Sequence, residues 1–148
     1  MSNPNTYPAV AFNFNVKFNG AGITAEGGFQ EVSGLEAELG VQEVKAGGGG
    51  NTLYRLPLPA TYKNISLKRG VIAGTSLREW VRKAIFDFEF TPVNVAIILL
   101  NEKQKPILRW IIYNAWPVKW TVDSLHSQEN KIAVETFELA YDRIDVKT

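Results

Sequence analysis

The stretch FQEVSGLEAELGVQEVKAGGGGNTLYRLPLPATYKNISLKRG, residues 29–70, decides the reading of this chain. Leu35, Ala37, Leu39 and Val41 alternate with Glu36, Glu38 and Gln42, as in a strand with one apolar side. Tyr62 to Lys68 is extended again, with Ile65 and Leu67 on one face. Between them, Gly47, Gly48, Gly49 and Gly50 are entropically costly to order and have no side chains to pack. A connection of this length inside a small domain is usually functional. The spacing predicts an arm that something outside the subunit orders, so assembly rather than catalysis is the first expectation.

Upstream, Phe12, Phe14, Val16 and Phe18 alternate with Asn13, Asn15, Lys17 and Asn19, which predicts a half-buried strand. Gly20 to Gly22 turns the chain, and Thr24 to Val32 is expected to pair back against that strand. Downstream, Ser76-x-x-Glu79 fits a capping box and opens a helix. Leu77, Trp80, Val81, Ala84, Ile85 and Phe88 follow helical spacing, Glu79 and Lys83 stand four apart, and Pro92 prevents continuation. Val93–Leu100 and Ile107–Tyr113 flank the polar turn 101–106, a hairpin signature. A short strand from Trp116 to Val122 and a long one from Lys131 to Tyr141 complete the pattern. One helix among about eight strands predicts a mainly β fold, an antiparallel sandwich or barrel with one packed α-helix. Phe12, Phe14, Trp80, Ile85 and Trp110 are the expected core anchors.

The 148 residues suit a single domain, and a 45% hydrophobic content supplies a core. All 12 glycines lie at or before Gly74 and all four tryptophans at or after Trp80, so turns crowd the first half and bulk the second. With 16 basic and 15 acidic residues the net charge is +1, and no nucleic-acid footprint is visible. The absence of cysteine excludes disulfides, thiol nucleophiles and Cys-based zinc sites. Met1 to Pro8 has no basic region leading into an apolar run, and Val95 to Leu100 is too short to span a bilayer. Neither a secretion signal nor a membrane anchor is expected.

Chemistry is sparse. His126, the single histidine, sits in the polar connection 123–128, and Ser124 and Ser127 lack a nucleophile-elbow context. Asp87 and Glu89 are placed as a helix end rather than an acid–base pair. Glu36, Glu38 and Glu43 do not match a calcium loop, and the glycine run is followed by neither Lys-Ser/Thr nor a helix. No catalytic, cofactor or metal residues are assigned. Lys68 and Arg69, with Arg55 and Lys63, form a modest basic patch. It is either a solvated strand edge or an ion-pairing surface for an acidic strand of another copy.

In order along the chain, several segments resemble the tail tube protein family of contractile bacteriophages and phage-tail-like injection systems. These are Phe12-x-Phe14-x-Val16-x-Phe18, Phe29-x-Glu31-Val32-Ser33-Gly34-Leu35-Glu36, Gly50-Asn51, Leu56-Pro57 with Tyr62, and Ile65-x-Leu67-Lys68-Arg69-Gly70. Trp80, Leu100-Asn101, Trp110, Ala115-x-Pro117-x-Lys119-Trp120 and Val134-Glu135-Thr136 complete the set. No single piece is specific; the ordered set spans nearly the whole chain.

The resemblance implies a structural protein, not an enzyme, whose strands join a β-barrel around the lumen of a hexameric ring. Rings would stack into an inner tube that a contracting sheath drives through a target envelope. Residues 39–56 would be the inter-ring loop, with Gly47 to Asn51, Leu53, Tyr54 and Arg55 as contacts, and residues 1–9 an N-terminal arm. Glu36, Glu38, Lys68 and Arg69 are the expected inter-subunit ion pairs. The implied partners are identical subunits, a sheath protein, a baseplate hub, a tube initiator and a terminator, with an effector protein or DNA as cargo. The implied setting is assembly in the bacterial cytoplasm and residence in a virion tail or extracellular particle. A baseplate initiator or terminal tube protein of the same machine, and a small-ligand-binding β-barrel, are the alternatives.

Overall fold

A computed structural model describes residues 13–24, 27–45, 47, 52–128 and 132–148. The N-terminal arm, Phe12, Gly48, Gly49, Gly50 and Asn51 lie outside these residues. Among the described residues, nine strands and one helix follow in order: β1 (Asn13–Asn19), β2 (Phe29–Ser33), β3 (Ala37–Lys45), β4 (Leu53–Tyr62), β5 (Ile65–Gly70), α1 (Ser76–Asp87), β6 (Val93–Leu100), β7 (Pro106–Val122), β8 (Val134–Ala140) and β9 (Arg143–Lys147).

Seven strands form one antiparallel sheet in the order β1-β6-β7-β8-β5-β2, with β9 added against β7. The long strand β7 belongs to two ladders. Its first half pairs with β6 and β9, and its second half pairs with β8. Asn114 stands at the change with a left-handed φ of 54°, and Pro117 and Lys119 flank a bulge. The runs expected as two strands, Ile107–Tyr113 and Trp116–Val122, are therefore one bent strand. Among the described residues the sheet does not close into a barrel, since β1 and β2 end the sheet order.

Side-chain parity builds the interior. Val16 and Phe18 from β1, Ile65 and Leu67 from β5, Val95 and Ile97 from β6 and Phe137 and Leu139 from β8 are all buried. Helix α1 covers them with Leu77, Trp80, Val81 and Ala84. Phe18 meets the Trp80 ring edge-on at 6.3 Å and lies 6.4 Å from Phe29, so one residue joins helix, β1 and β2. The Trp80 indole N–H donates to the Thr91 carbonyl at 2.8 Å, which satisfies its polar handle. Phe14 and Trp110 are half-buried against this cluster. Ile85 is not a core residue; it lies on the solvent side of α1.

Two local expectations are corrected. The segment before Val32 does not pair with β1, because β2 pairs with β5 and β1 pairs with β6 along its whole length. The helix cap is Thr75 rather than Ser76. The Thr75 hydroxyl accepts from the Arg78 amide at 3.2 Å, while the Ser76 hydroxyl accepts from the Thr24 amide and ties the first turn to the chain leaving β1.

Candidate assembly surface

The excursion is not a loop. β2 and β5 pair up to Ser33 and Ser66, the two strands bend, and pairing resumes at Ala37 and Tyr62 as β3–β4. One long hairpin is thus broken at a waist, and its outer part is a separate two-stranded ribbon. Gly34 makes the waist possible. It holds φ at 89°, and a β-carbon there would lie 2.2 Å from the Asn64 carbonyl oxygen. Glu36 pairs with Lys63 at 3.2 Å across the bend, and Tyr62 lies 5.9 Å from Tyr141 at the ribbon base. Burial, then the neighbouring Tyr62 and Glu36, push the Tyr141 hydroxyl above its ordinary pKa.

Nine residues of β3 span about 30 Å, and among the described residues no second layer covers them. Leu39, Val41, Val44, Leu53, Tyr54, Leu56 and Leu58 are all exposed. Directly opposed residues share a face. Val44 opposes Tyr54 and Gln42 opposes Leu56, giving one largely apolar face; Glu43 opposes Arg55 and Lys45 opposes Leu53 on the other. Gly40 lies under the Leu58 side chain, 2.9 Å from where its own β-carbon would be. Pro57 and Pro59 sit on β4, whose outer edge has no strand partner among the described residues. A two-stranded ribbon facing water on both sides is marginal alone.

A second uncovered apolar feature stands at the end of α1. Phe88 caps the helix in the left-handed region (φ 55°, ψ 37°) and is 81% exposed. It meets Phe90 edge-to-face at 4.8 Å, and Phe90 meets Trp116 at 5.7 Å. Phe86 is also exposed nearby in sequence.

The opposite end of α1 carries a buried polar network. Glu135 is fully buried and takes a two-pronged contact from Arg78, with Nε at 2.8 Å and Nη2 at 3.0 Å. The Trp120 indole N–H donates to the same carboxylate at 2.8 Å. Arg69, 1% exposed, donates to the Thr75 hydroxyl and the Gly27 carbonyl and lies over the Phe29 and Phe137 rings. Burial alone would raise the Glu135 pKa. The hydrogen bonds from Arg78 and Trp120 and the charges of Arg78 and Arg69 outweigh it and hold the carboxyl below its usual range.

These placements revise the expected ion pairs. Glu36 and Lys68 bond within the subunit, to Lys63 and Glu31, each at 3.2 Å. Arg69 is a core cation and not part of a surface patch. Glu38 is exposed on β3, as are Leu53, Tyr54 and Arg55 on β4, while Gly47 lies in a bend beyond β3. Sequence reasoning missed Glu135 and Arg69 as interior groups. The signal was there, since Ile65-x-Leu67-x-Arg69 and Glu135-x-Phe137-x-Leu139 each keep one parity. His126 is exposed in the β7–β8 connection. Among the described residues no cluster of His, Cys, Asp or Glu could hold a metal ion, and no helix is long and apolar enough to cross a membrane.

An uncovered ribbon and an exposed aromatic corner on a β body are features of a part that assembles, and comparison with known proteins agrees. The family model of the T4-like virus tail tube protein gp19 matches residues 10–145. The chain belongs to this tail tube family. Solved structures agree with it along their length. A chain of the anti-feeding prophage baseplate, from a 6-fold symmetrised cryo-EM structure, is 28% identical, with a TM-score of 0.84 over 96% of this chain and 97% of that one. A chain of the anti-feeding prophage tube-terminating cap is 27% identical, with a TM-score of 0.82 over 100% and 96%. A chain of the PVC sheath–tube complex, an extracellular contractile injection system in its extended state, is 25% identical, with a TM-score of 0.81 over 99% and 99%. A search of curated proteins by sequence gives no match. This tail tube protein is thus a structural part of a phage tail or a contractile injection particle.

Proposed function

We propose that this tail tube protein is an inner-tube subunit that closes into hexameric rings and stacks them into a rigid channel inside a contractile sheath. The observation that carries this reading is the β3–β4 ribbon. It exposes seven large apolar side chains and forms a two-stranded sheet separate from the main one among the described residues. The ribbon is the inter-ring arm and docks on the next ring, which stabilises strands that are marginal in the free subunit. Ring closure is a head-to-tail contact that covers the open strands ending the sheet order. A sheath surrounds the tube, an initiator and a terminator hold its ends, and an effector protein or DNA passes through the lumen. Subunits fold and assemble in the bacterial cytoplasm before the particle leaves the cell.

A second reading places the subunit at an end of the tube, as a baseplate initiator or a terminal protein. It is favoured by similarity to chains from baseplate and cap structures as high as that to the sheath–tube complex. Negative-stain electron microscopy of purified protein, with and without added tube ends, separates the two. Long stacked tubes support the inner-tube role. Single rings that never elongate, even when seeded, assign the subunit to an end, and featureless monomers overturn both readings.

A further inference from the structure

A net charge of +1 hides an asymmetry that the sheet makes visible. Strands β1, β6, β7 and β9 form one continuous ladder, and parity divides it into two faces. Val16, Val95, Ile97 and Ile112 point into the core, with Ile144 packed against them. The alternate positions point the other way, and the charged ones are Lys17, Arg109, Arg143, Lys147 and Asp145. This outer face thus sets four cations against one anion. The bordering turns add Lys103 and Lys105 against Glu102 and Asp142, which leaves the positive excess at three. The Thr148 carboxylate beyond Lys147 lowers it to two.

The other surfaces are balanced. Outside β5 and β8, Lys68 pairs with Glu31 and Lys119 opposes Glu138. The ribbon sets Lys45 and Arg55 against Glu38 and Glu43, and Arg82 on α1 reaches both Glu79 and Asp87. The excess on the β1-β6-β7-β9 face is not required by the fold. Arg109 and Lys147 stand directly opposite each other, with α-carbons roughly 4.5–5.5 Å apart, where like charges destabilise a strand pair. Both are exposed, and neither has an ion-pair partner among the described residues. An acidic residue at 147 would answer Arg109 as Glu138 answers Lys119. A cation there works against the free subunit and suits a partner that brings negative charge.

The face also distinguishes two classes of anion. Single-stranded nucleic acid is held by cations interleaved with free aromatic rings on which bases stack. The aromatic of this face, Tyr113, has its ring covered by the Arg143 guanidinium, 4.0 Å from the centroid. Proteins that hold a duplex neutralise about 6–10 phosphates, more than these cations can serve. Between the cations the floor is aliphatic, Ala96 beside Ile111, which a polypeptide can cover and a phosphate backbone cannot.

We infer that the outer face of β1-β6-β7-β9 binds an acidic polypeptide, with Arg109 and Lys147 as its paired anchor. A small excess of exposed charge gives a fast, salt-sensitive contact of low affinity. That suits a partner met in passing rather than a permanent neighbour. The surface is separate from the ribbon, and the inference does not depend on how rings stack.

Fluorescence anisotropy of labelled poly-L-glutamate mixed with the full chain tests it. The native protein should bind the probe, with an affinity that falls as salt is raised. Arg109→Gln combined with Lys147→Gln should weaken binding roughly tenfold. Lys68→Gln combined with Lys119→Gln removes the same charge from the other face and should leave binding unchanged. Lys147→Glu should melt at or above the native temperature, because it gains Arg109 as a partner, and yet lose the probe. Absence of native binding overturns the inference. Equal weakening by the control pair does so as well, since net charge alone then explains the effect. Oligothymidylate that binds the native chain as tightly as poly-L-glutamate of equal charge assigns the face to nucleic acid and equally overturns it. A Lys147→Glu chain that melts below the native shows the cation to be structural, with the same consequence.

Discussion

Glu135 illustrates how a buried charge is tolerated. Its carboxylate leaves water completely, yet the paired prongs of Arg78, the Trp120 indole and the nearby Arg69 charge favour the ionised form. Because the folded pKa is lowered, this stabilisation is present above the ordinary carboxylate value of 4.5 and is lost as pH falls through the folded value. Glu135→Gln should cost roughly 3–5 kcal/mol near neutral pH, because two guanidinium groups lose their counter-charge. Urea melts at several pH values check this: the native–variant gap should narrow below pH 4.5. Trp80→Ala should cost about 3–5 kcal/mol, since Trp80 is buried against Phe18 and anchors the helix to Thr91. Thermal or chemical denaturation of the variant measures that loss. Residue parity was legible throughout. Ile65, Leu67, Phe137 and Leu139 point inward as alternation demands, and the same rule places Arg69 and Glu135 inside. They were missed because charge was weighed above parity, and their pairing across 66 positions of sequence is invisible locally.

At the scale of elements, the strand runs and the helix were legible, and their partners were not. Val93–Leu100 and its hairpin mate were recognisable from an apolar run, a polar turn and a second run, since all the information is local. The excursion after Phe29 was recognisable as extended chain around a glycine loop. That β2–β5 and β3–β4 are two parts of one hairpin depends on the Gly34 waist and its contact with Asn64, thirty positions away. β9 was not recognised as a strand, because Arg143–Lys147 is short and becomes a strand through the edge that β7 offers it. Deleting residues 47–50 should leave the subunit folded with an unchanged far-ultraviolet spectrum while weakening ring stacking. That segment stands between Lys45 and Leu53 in the sequence and is all glycine, so it has no side chain to add to a core. Circular dichroism and electron microscopy on one preparation test both halves, and global unfolding of the deletant would count against the arm's independence.

Across the whole molecule, a folded body is joined to surfaces that a single copy leaves in water. Seven large apolar side chains on the ribbon and the aromatic corner are exposed at once, although the net charge is only +1. Little like-charge repulsion opposes contact between copies. Assembly that binds only the folded state stabilises it by mass action. The melting temperature should therefore rise with protein concentration across the onset of stacking and be flat below it. Because the surfaces involved are mainly apolar, the rise should survive about 1 M salt, where exposed charge interactions are screened within ~3 Å. Scanning calorimetry over a dilution series makes the measurement.

By itself, the sequence determined the alternation of most strands, where the helix runs, and the family resemblance carried by its ordered segments. Each follows from side-chain periodicity or motif order, which are properties of neighbouring residues. Only the tertiary structure decided that β2 joins β5 and not β1, that the arm is a ribbon, and that Arg69 is interior while Phe88 is exposed. A strand's alternation specifies the face it buries but says nothing about which edge completes its hydrogen bonds. That choice is made among segments far apart in the chain, where closure of the whole sheet selects the partner.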